Sequence, residues 1–259
     1  MTRFDLAKKL AKEAGELILS INPHLGNVGK HSGKHNFLTK ADLQSQKLIL
    51  DGINKFFPAD KTLAEETDIH LKDPLKANKL WVIDPIDGTA NYERGRLPFV
   101  ISIGYTEKGK TLFGVVYNPV TNELFTAEKG KGAFLNGRKI NISEKQNLPE
   151  SYILTSVHYF PDTIERNFLK VLKIEPMPWV EVGACAAYGI CEVAVGRFEL
   201  YYHERSKPWD IAAAFLIVRE AGAVIKNING EDVDFTWSDF YVLGNEKLVE
   251  EFLKIQNKK

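Results

Sequence analysis

Residues 80–92 read LWVIDPIDGTANY, and no other stretch of this 259-residue chain restricts its fold so strongly. The apolar run LWVID predicts a short buried strand, and Pro85, which cannot donate to a sheet ladder, predicts its end. Asp84 closes that strand and Asp87 follows across Pro85 and Ile86. Two carboxylates therefore sit where an α/β scaffold aims side chains into a crevice. Crowded carboxylates repel each other unless a proton or a cation intervenes. A hard divalent cation with oxygen ligands, Mg²⁺ foremost, suits such a pair. Gly88 lets the backbone approach whatever the acids hold. Spacing alone is equally compatible with an ordinary Asp-Gly turn beside a surface Asp84.

The surrounding chain supplies both helices and strands. At the N-terminus Leu6, Leu10, Ala14, Leu17, Ile18 and Ile21 share one helical stripe, and Thr2 with Asp5 forms a capping-box pattern. Lys8, Lys9, Lys12, Glu13 and Glu16 interrupt that segment, so it has neither a secretory core nor an unbroken membrane span. A Gly-, Asn-, His- and Lys-rich loop follows, NPHLGNVGKHSGKHN. A second helix is predicted from about Lys40 to Phe57, with Leu43, Leu48, Ile49, Ile53 and Phe56 as its apolar positions and Pro58 as its stop. FVISIGYT, TLFGVVYN and ELFTAEKG alternate and are joined by turns at 108–110 and 119–122, which predicts an antiparallel meander. NISEKQNLPES is the best internal boundary. Beyond it lie a strand YILTSVH, a helix TIERNFLKVLKI and a helical run ACAAYGICEVAVG ended by Gly196. A strand FELYYH, a helix from about Trp209 to Ala221 and closing strands AVIKN and YVLGN complete the order. Without a regular βαβ rhythm, the fold class is mixed layered α/β or α+β.

Lys plus Arg and Asp plus Glu each number 34, so the net charge is zero. That excludes the bulk basic excess of a nucleic-acid or anionic-membrane binder, and neither partner is expected. The two cysteines, Cys185 and Cys191, are too few for a disulfide scaffold and lack the neighbours of a zinc site. They read as buried free thiols of a soluble, cytoplasmic protein.

Two more acidic sites stand out. LAEET carries Glu65 and Glu66, and Asp210 follows Pro208 and Trp209 at the start of a long apolar helix. Taken singly, an acidic pair is a solvated face and Asp210 a helix cap.

Taken together, LAEET, DPIDGTANY and WDIAAAFLIVREAG, in that order and spacing, resemble the inositol monophosphatase family. NFLTKAD and AVGRFELYYH extend the resemblance over nearly the whole chain. It implies an αβαβα sandwich, an α+β half at 1–145 with the Glu65 and DPIDGT sites, and an α/β half at 146–259 with the WD motif. The halves would make one catalytic unit with the site between them. It implies a Mg²⁺-dependent phosphomonoesterase that hydrolyses a small phosphorylated alcohol, such as inositol monophosphate, by metal-activated water. Lithium sensitivity and a homodimer come with the family. Glu65, Asp84 and the carbonyl of Ile86 would form one metal site, and Asp84, Asp87 and Asp210 a second. Glu65 would reach a third ion through water, and Glu66 is the lesser member of its pair. Thr89 would orient the attacking water, backed by Glu65 and Asp42. Asp87, Gly88, Thr89, Ala186, His203 and Asp210 would line the phosphate and substrate.

Departures from the family bear on the substrate. His203 stands seven residues before Asp210, where the family often has a ring-binding Glu, with Glu204 beside it. Asn36 replaces an Asp, Ala184-Cys185-Ala186 replaces Gly-Ser/Thr-Ala, and Ala214 replaces a frequent Gly. His203, Glu204 and Arg205 are expected to face the alcohol half of the substrate. Fructose 1,6-bisphosphate, histidinol phosphate and a nucleotide 3′-phosphate are the alternatives of the same class. A non-catalytic partner-binding protein is the alternative of another class, and retention of Glu65, Asp84, Asp87, Thr89 and Asp210 argues against it. Lys34 and its basic loop could hold a polyanion, but would serve a phosphate site equally well.

Overall fold

The structure, a computed structural model, describes residues 1–23, 27–30, 37–67, 76–156, 168–183, 185–235 and 239–258. Helix α1 (Arg3–Ser20) begins as its sequence predicts, with Thr2 accepting from the Asp5 N–H at 3.0 Å. A small ribbon, β1 (Asn27–Lys30) and β2 (Phe37–Thr39), leads into α2 (Lys40–Phe56). The buried face of α2 is Ala41, Asp42, Ser45, Gln46, Ile49 and Ile53. This corrects the apolar stripe, because Leu43 and Phe56 are exposed. The polar part of the buried face bonds the acid-bearing strand and the segments beside it: Ser45 the Pro85 carbonyl, Asp42 Thr89, and Gln46 Thr67.

Seven strands form the larger sheet in spatial order: β3 (Lys61–Ala64), β4 (Leu80–Asp87), β5 (Val100–Glu107), β6 (Lys110–Asn118), β7 (Glu123–Glu128), β8 (Ala133–Leu135) and β9 (Arg138–Ile140). β3 runs parallel to β4, and the rest is an antiparallel meander. The strand predicted to stop at Pro85 instead continues through Asp87, buried along its whole length. The proline is accommodated by a bulge: Asp84 pairs with Ser102 and Asp87 with Val100, three residues spanned against two. Ser102 and Val100 share one face of β5, so the bulge puts Asp84 and Asp87 on one face too. In an unbroken strand, residues three apart would point to opposite sides. Gly88 follows at φ +90°, where an added Cβ would lie 2.9 Å from the Pro98 carbonyl oxygen, and the short helix α3 (Thr89–Glu93) begins.

The second half adds β10 (Tyr152–Thr155), a helical turn α4 (Leu169–Val171), β11 (Trp179–Val182), α5 (Ala186–Ala194), β12 (Leu200–His203), α6 (Pro208–Glu220), β13 (Val224–Lys226), β14 (Tyr241–Gly244) and α7 (Glu246–Gln256). The five strands make a mixed sheet in the order β11-β10-β12-β14-β13. Helices α1 and α2 cover one face of the large sheet; α5 and α6 fill the space between the sheets; α4 and α7 cover the far face of the small one. This is the alternating αβαβα arrangement. Among the described residues, β1, β2, β3, β8, β9, β11 and α7 are elements that the sequence patterns above do not predict, β1 lying within the stretch read as a loop. Helix α7 nonetheless carries a legible signal, since Asn245 caps it and Leu248, Val249, Phe252 and Leu253 form its buried stripe. Of the predicted helix TIERNFLKVLKI, residues 168–171 are the helical ones among the described residues, and residues 163–167 lie outside them.

Helix α6 is buried from Ile211 to Val218, as an apolar helix between two sheets must be. It lies so close to the large sheet that a Cβ on Gly114 would come within 2.3 Å of the Ala213 carbonyl oxygen. Its C-terminal end is tied by Glu220, which accepts from the Gly130 and Gly132 N–H groups at 2.7 and 2.8 Å. Its N-terminal end, carrying Asp210, is thereby brought over the end of β4. Among the described residues no helix is long and apolar enough to cross a membrane.

Candidate active site

The bulged end of β4 is held from several sides. Asp84 is 2% exposed and accepts from the Ile86 N–H at 3.0 Å. Ser45 of α2 donates to the Pro85 carbonyl at 3.0 Å, so the buried polar face of α2 braces the bulge. Asp87 Oδ2 accepts from the Ala187 N–H at 2.6 Å and from the Cys185 thiol at 3.2 Å. Glu65 follows β3, its N–H bonded to the Ile83 carbonyl at 3.2 Å, and its carboxyl meets that of Asp84. Asp210 stands third in α6 and accepts from the Lys207 N–H at 2.7 Å. It thus closes the helix start, as an acid in a first helical turn commonly does, while also joining the other acids.

The acids perturb one another. Burial raises Glu65 and Asp84 well above the usual carboxylate range, and the charges of Asp210 and Glu65, respectively, push them further. Asp210 is pushed up to about 7 by burial and by Asp87. Burial also raises Asp87, opposed by the hydrogen bonds from Cys185 and Ala187. This donor set is all oxygen, anionic and self-repelling, which in kind fits a hard cation. Among the described residues no three acidic, His or Cys side chains converge as a finished metal cage. The acids instead press on one another as a group, Asp84 being pushed by Glu65, Asp87 and Asp210.

Thr89 opens α3 beside this cluster. Its hydroxyl lies 2.8 Å from the Ile86 carbonyl and 3.1 Å from Asp42 Oδ1. Asp42 is fully buried and also accepts from the N–H of Thr39 at 2.8 Å and from its hydroxyl. Burial raises Asp42, against the pull of those Thr39 bonds. Gln46 holds the neighbouring loop, accepting from the Glu66 N–H at 2.9 Å and donating to Thr67 at 2.8 Å.

Glu65, Asp84, Ile86, Asp87, Thr89, Asp42 and Asp210 are therefore brought together. Ala186 begins α5, and its amide, like that of Ala187, favours the ionised form of Asp87. His203 ends β12 and is buried: its Nδ1 is 3.1 Å from the Ser206 hydroxyl and 3.4 Å from that of Tyr241. Glu204 is buried and Arg205 exposed, with a left-handed φ of +59°. Lys34, Asn36 and Ala184 lie outside the described residues. Both thiols are free and buried, and burial pushes them well up, which suits neither to nucleophilic attack. Sequence reasoning missed the supporting roles of Thr39, Ser45, Gln46 and Cys185. Only Thr39 has a local signal, the Thr-x-x-Asp capping pattern with Asp42. A surface depression of about 450 Å³, lined by Asn229, Glu250, Leu253 and Asn257 among others, shares no residue with this cluster.

Comparison with known proteins identifies the family. The inositol monophosphatase family profile matches residues 2–259. A Thermotoga maritima protein named fructose-1,6-bisphosphatase/inositol-1-monophosphatase is 35% identical, covering 99% of this chain and 96% of its own. Human inositol monophosphatase 1 is 34% identical, covering 96% and 92%. The crystal structure of the extragenic suppressor protein suhB from Bartonella henselae superposes with a TM-score of 0.90 at 28% identity, over 98% of both chains. The chain belongs to the inositol monophosphatase family, metal-dependent phosphatases that hydrolyse phosphomonoesters.

Proposed function

We propose that the protein is a Mg²⁺-dependent phosphomonoesterase acting in the cytoplasm on a small phosphorylated alcohol such as inositol monophosphate. The observation that carries this is the mutual crowding of Glu65, Asp84, Asp87 and Asp210 beside the Thr89–Asp42 pair. Glu65, Asp84 and the Ile86 carbonyl would hold one ion; Asp84, Asp87 and Asp210 a second; Glu65 a third through water. Bound there, Mg²⁺ polarises the phosphate ester and makes water a nucleophile near neutral pH. Residues 1–145 and 146–259 act as one unit, the first supplying Glu65, Asp84 and Asp87, the second Asp210.

The protein's own groups do the positioning. Thr89 has one hydroxyl proton, and giving it to Asp42 Oδ1 turns the Thr89 oxygen into an acceptor for a proton of the attacking water. Thr39 holds Asp42 in the orientation this requires. Gly88 and Thr89 offer backbone N–H groups to the phosphate. The attacking water would give up its proton to solvent as it bonds to phosphorus, the leaving alkoxide would take one from a solvent water as the ester bond breaks, and no covalent enzyme intermediate would form. Lithium inhibition, a homodimer and the absence of a nucleic-acid or membrane partner belong to the same proposal and rest on the family resemblance and the zero net charge.

Proton and Mg²⁺ compete for these acids. Asp210 has a folded value of about 7 against an ordinary 3.8, so its contribution to metal-free stability is full below the ordinary value and lost as pH rises through about 7. Mg²⁺ relieves the repulsion that appears over that window. The rise in Tm on adding Mg²⁺ is therefore larger at about pH 8 than at about pH 5.5, which thermal melts with and without EDTA will show. An equal rise at both pH values counts against Asp210 as a ligand.

Substrate choice is the open half of the proposal. His203, Glu204 and Arg205 lie just upstream of Asp210, and a site built around hydroxyls discriminates strongly when its polar groups are left unpaired. Phosphate release should be measured for inositol 1-phosphate, fructose 1,6-bisphosphate, histidinol phosphate and nucleotide 3′-phosphates, with wild type and His203→Glu at fixed Mg²⁺. The expected result is Mg²⁺-dependent release with a changed order of kcat/KM in the variant. An unchanged order removes His203 from substrate selection. No release from any ester, with or without Mg²⁺, favours the non-catalytic alternative.

A further inference from the structure

We propose that Cys185 is a positioning residue for the metal: its thiol fixes the Asp87 carboxylate so that only one of its oxygens serves the cation. This rests on Asp87 being a metal ligand, and goes beyond it. Cys185 occupies the N-cap position of α5 but makes no capping bond to its own helix. Asp87, 100 residues before Ala187 in sequence, takes over that task by accepting from the Ala187 N–H at 2.6 Å. The side chain of Cys185 turns to the same oxygen, Oδ2, at 3.2 Å; its sulfur also lies 3.4 Å from the Asp87 carbonyl.

A carboxylate oxygen has two lone-pair sites; the one thiol proton, given to the nearer Oδ2 rather than to the Asp87 carbonyl, fills both together with the Ala187 N–H. Cation binding then falls to Oδ1, with the carboxylate plane held by donors from the start of α5, the Ala186 amide among them. Partners of this kind orient metal ligands and commonly matter by about 10–100-fold in affinity. A thiol is a weaker donor than a hydroxyl, so the lower end of that range applies. Cys191, also buried and free, lies six residues on and serves as a control for the mere loss of a thiol.

The test is a Mg²⁺ titration of wild type, Cys185→Ala, Cys185→Ser, Cys191→Ala and Asp87→Asn, read by Tm and by phosphate release. Cys185→Ala should raise the Mg²⁺ midpoint about tenfold in both readouts, with kcat at saturating Mg²⁺ falling by less than the midpoint moves. Cys185→Ser, which restores a donor, should return the midpoint to within about threefold of wild type, and Cys191→Ala should not move it. A Cys185→Ala midpoint within about twofold of wild type, or equal shifts for the Ala and Ser variants, overturns the inference. Asp87→Asn separates the two levels. If it leaves the midpoint unmoved, Asp87 is not a ligand and the underlying proposal fails. If it abolishes the response while Cys185→Ala changes nothing, the positioning role alone is wrong.

Discussion

Asp84→Asn and Asp210→Asn are each expected to abolish Mg²⁺-dependent phosphate release, yet to leave the metal-free protein at least as stable as wild type. Both halves of this result follow from the same charges. Each substitution keeps a local acceptor: an amide oxygen at position 84 can still take the Ile86 N–H, and one at position 210 the Lys207 N–H. Each removes one carboxylate from a cluster whose members raise one another's pKa, so self-repulsion falls. In the proposed site the cation would lose a ligand charge at the same time. Transition-state stabilisation by a metal is worth several kcal/mol, and each ~1.36 kcal/mol is tenfold, so a loss on the order of 10³-fold or more is expected. Phosphate release at saturating Mg²⁺ and melting curves in EDTA measure the two halves separately. Full turnover by metal-free wild type would sink the metal assignment. A large drop in metal-free Tm would show that these acids hold the fold together instead.

Thr89→Ala should lower kcat and kcat/KM together, by about 10²–10⁴-fold, the range of a lost general-base contribution. The hydroxyl sits between the Ile86 carbonyl and Asp42, and in the proposed role it would act on the water chiefly in the transition state, so substrate affinity should change little. Thr89→Ser retains the oxygen and should recover most of the rate. Steady-state kinetics decide the matter: a raised KM at unchanged kcat would assign Thr89 to binding.

The identity of the acids is readable from the chain alone, because Asp84, Asp87, Glu65 and Asp210 sit in short motifs whose order and spacing are local facts. So is α1, whose stripe and cap lie within one segment, and so is the meander, whose alternation and turns are set by neighbouring residues. The apolar helix bearing Asp210 is equally plain. Helix α7 belongs with these, since its cap and stripe are local too, although the patterns traced along the chain stop short of it. The end of β4 does not belong with them: the general rule that proline ends strands stops it at Pro85, two residues before Asp87.

What the tertiary structure alone decides is how these pieces aim. Whether Asp84 and Asp87 share a face depends on their register against Ser102 and Val100, and a bulge is a property of two strands together. Which side of α2 is buried depends on the strand it covers, so Asp42, Ser45 and Gln46 lie inside while Leu43 and Phe56 stay out. Asp87 caps a helix whose Ala187 lies 100 residues downstream, and Cys185 and Ala187 become its donors only when α5 reaches β4. His203 gains its partners Ser206 and Tyr241 in the same way. Periodicity and capping report free energies set by nearest neighbours along the chain. Register, like the pairing of distant donors with acceptors, minimises a free energy shared between segments that no local pattern records.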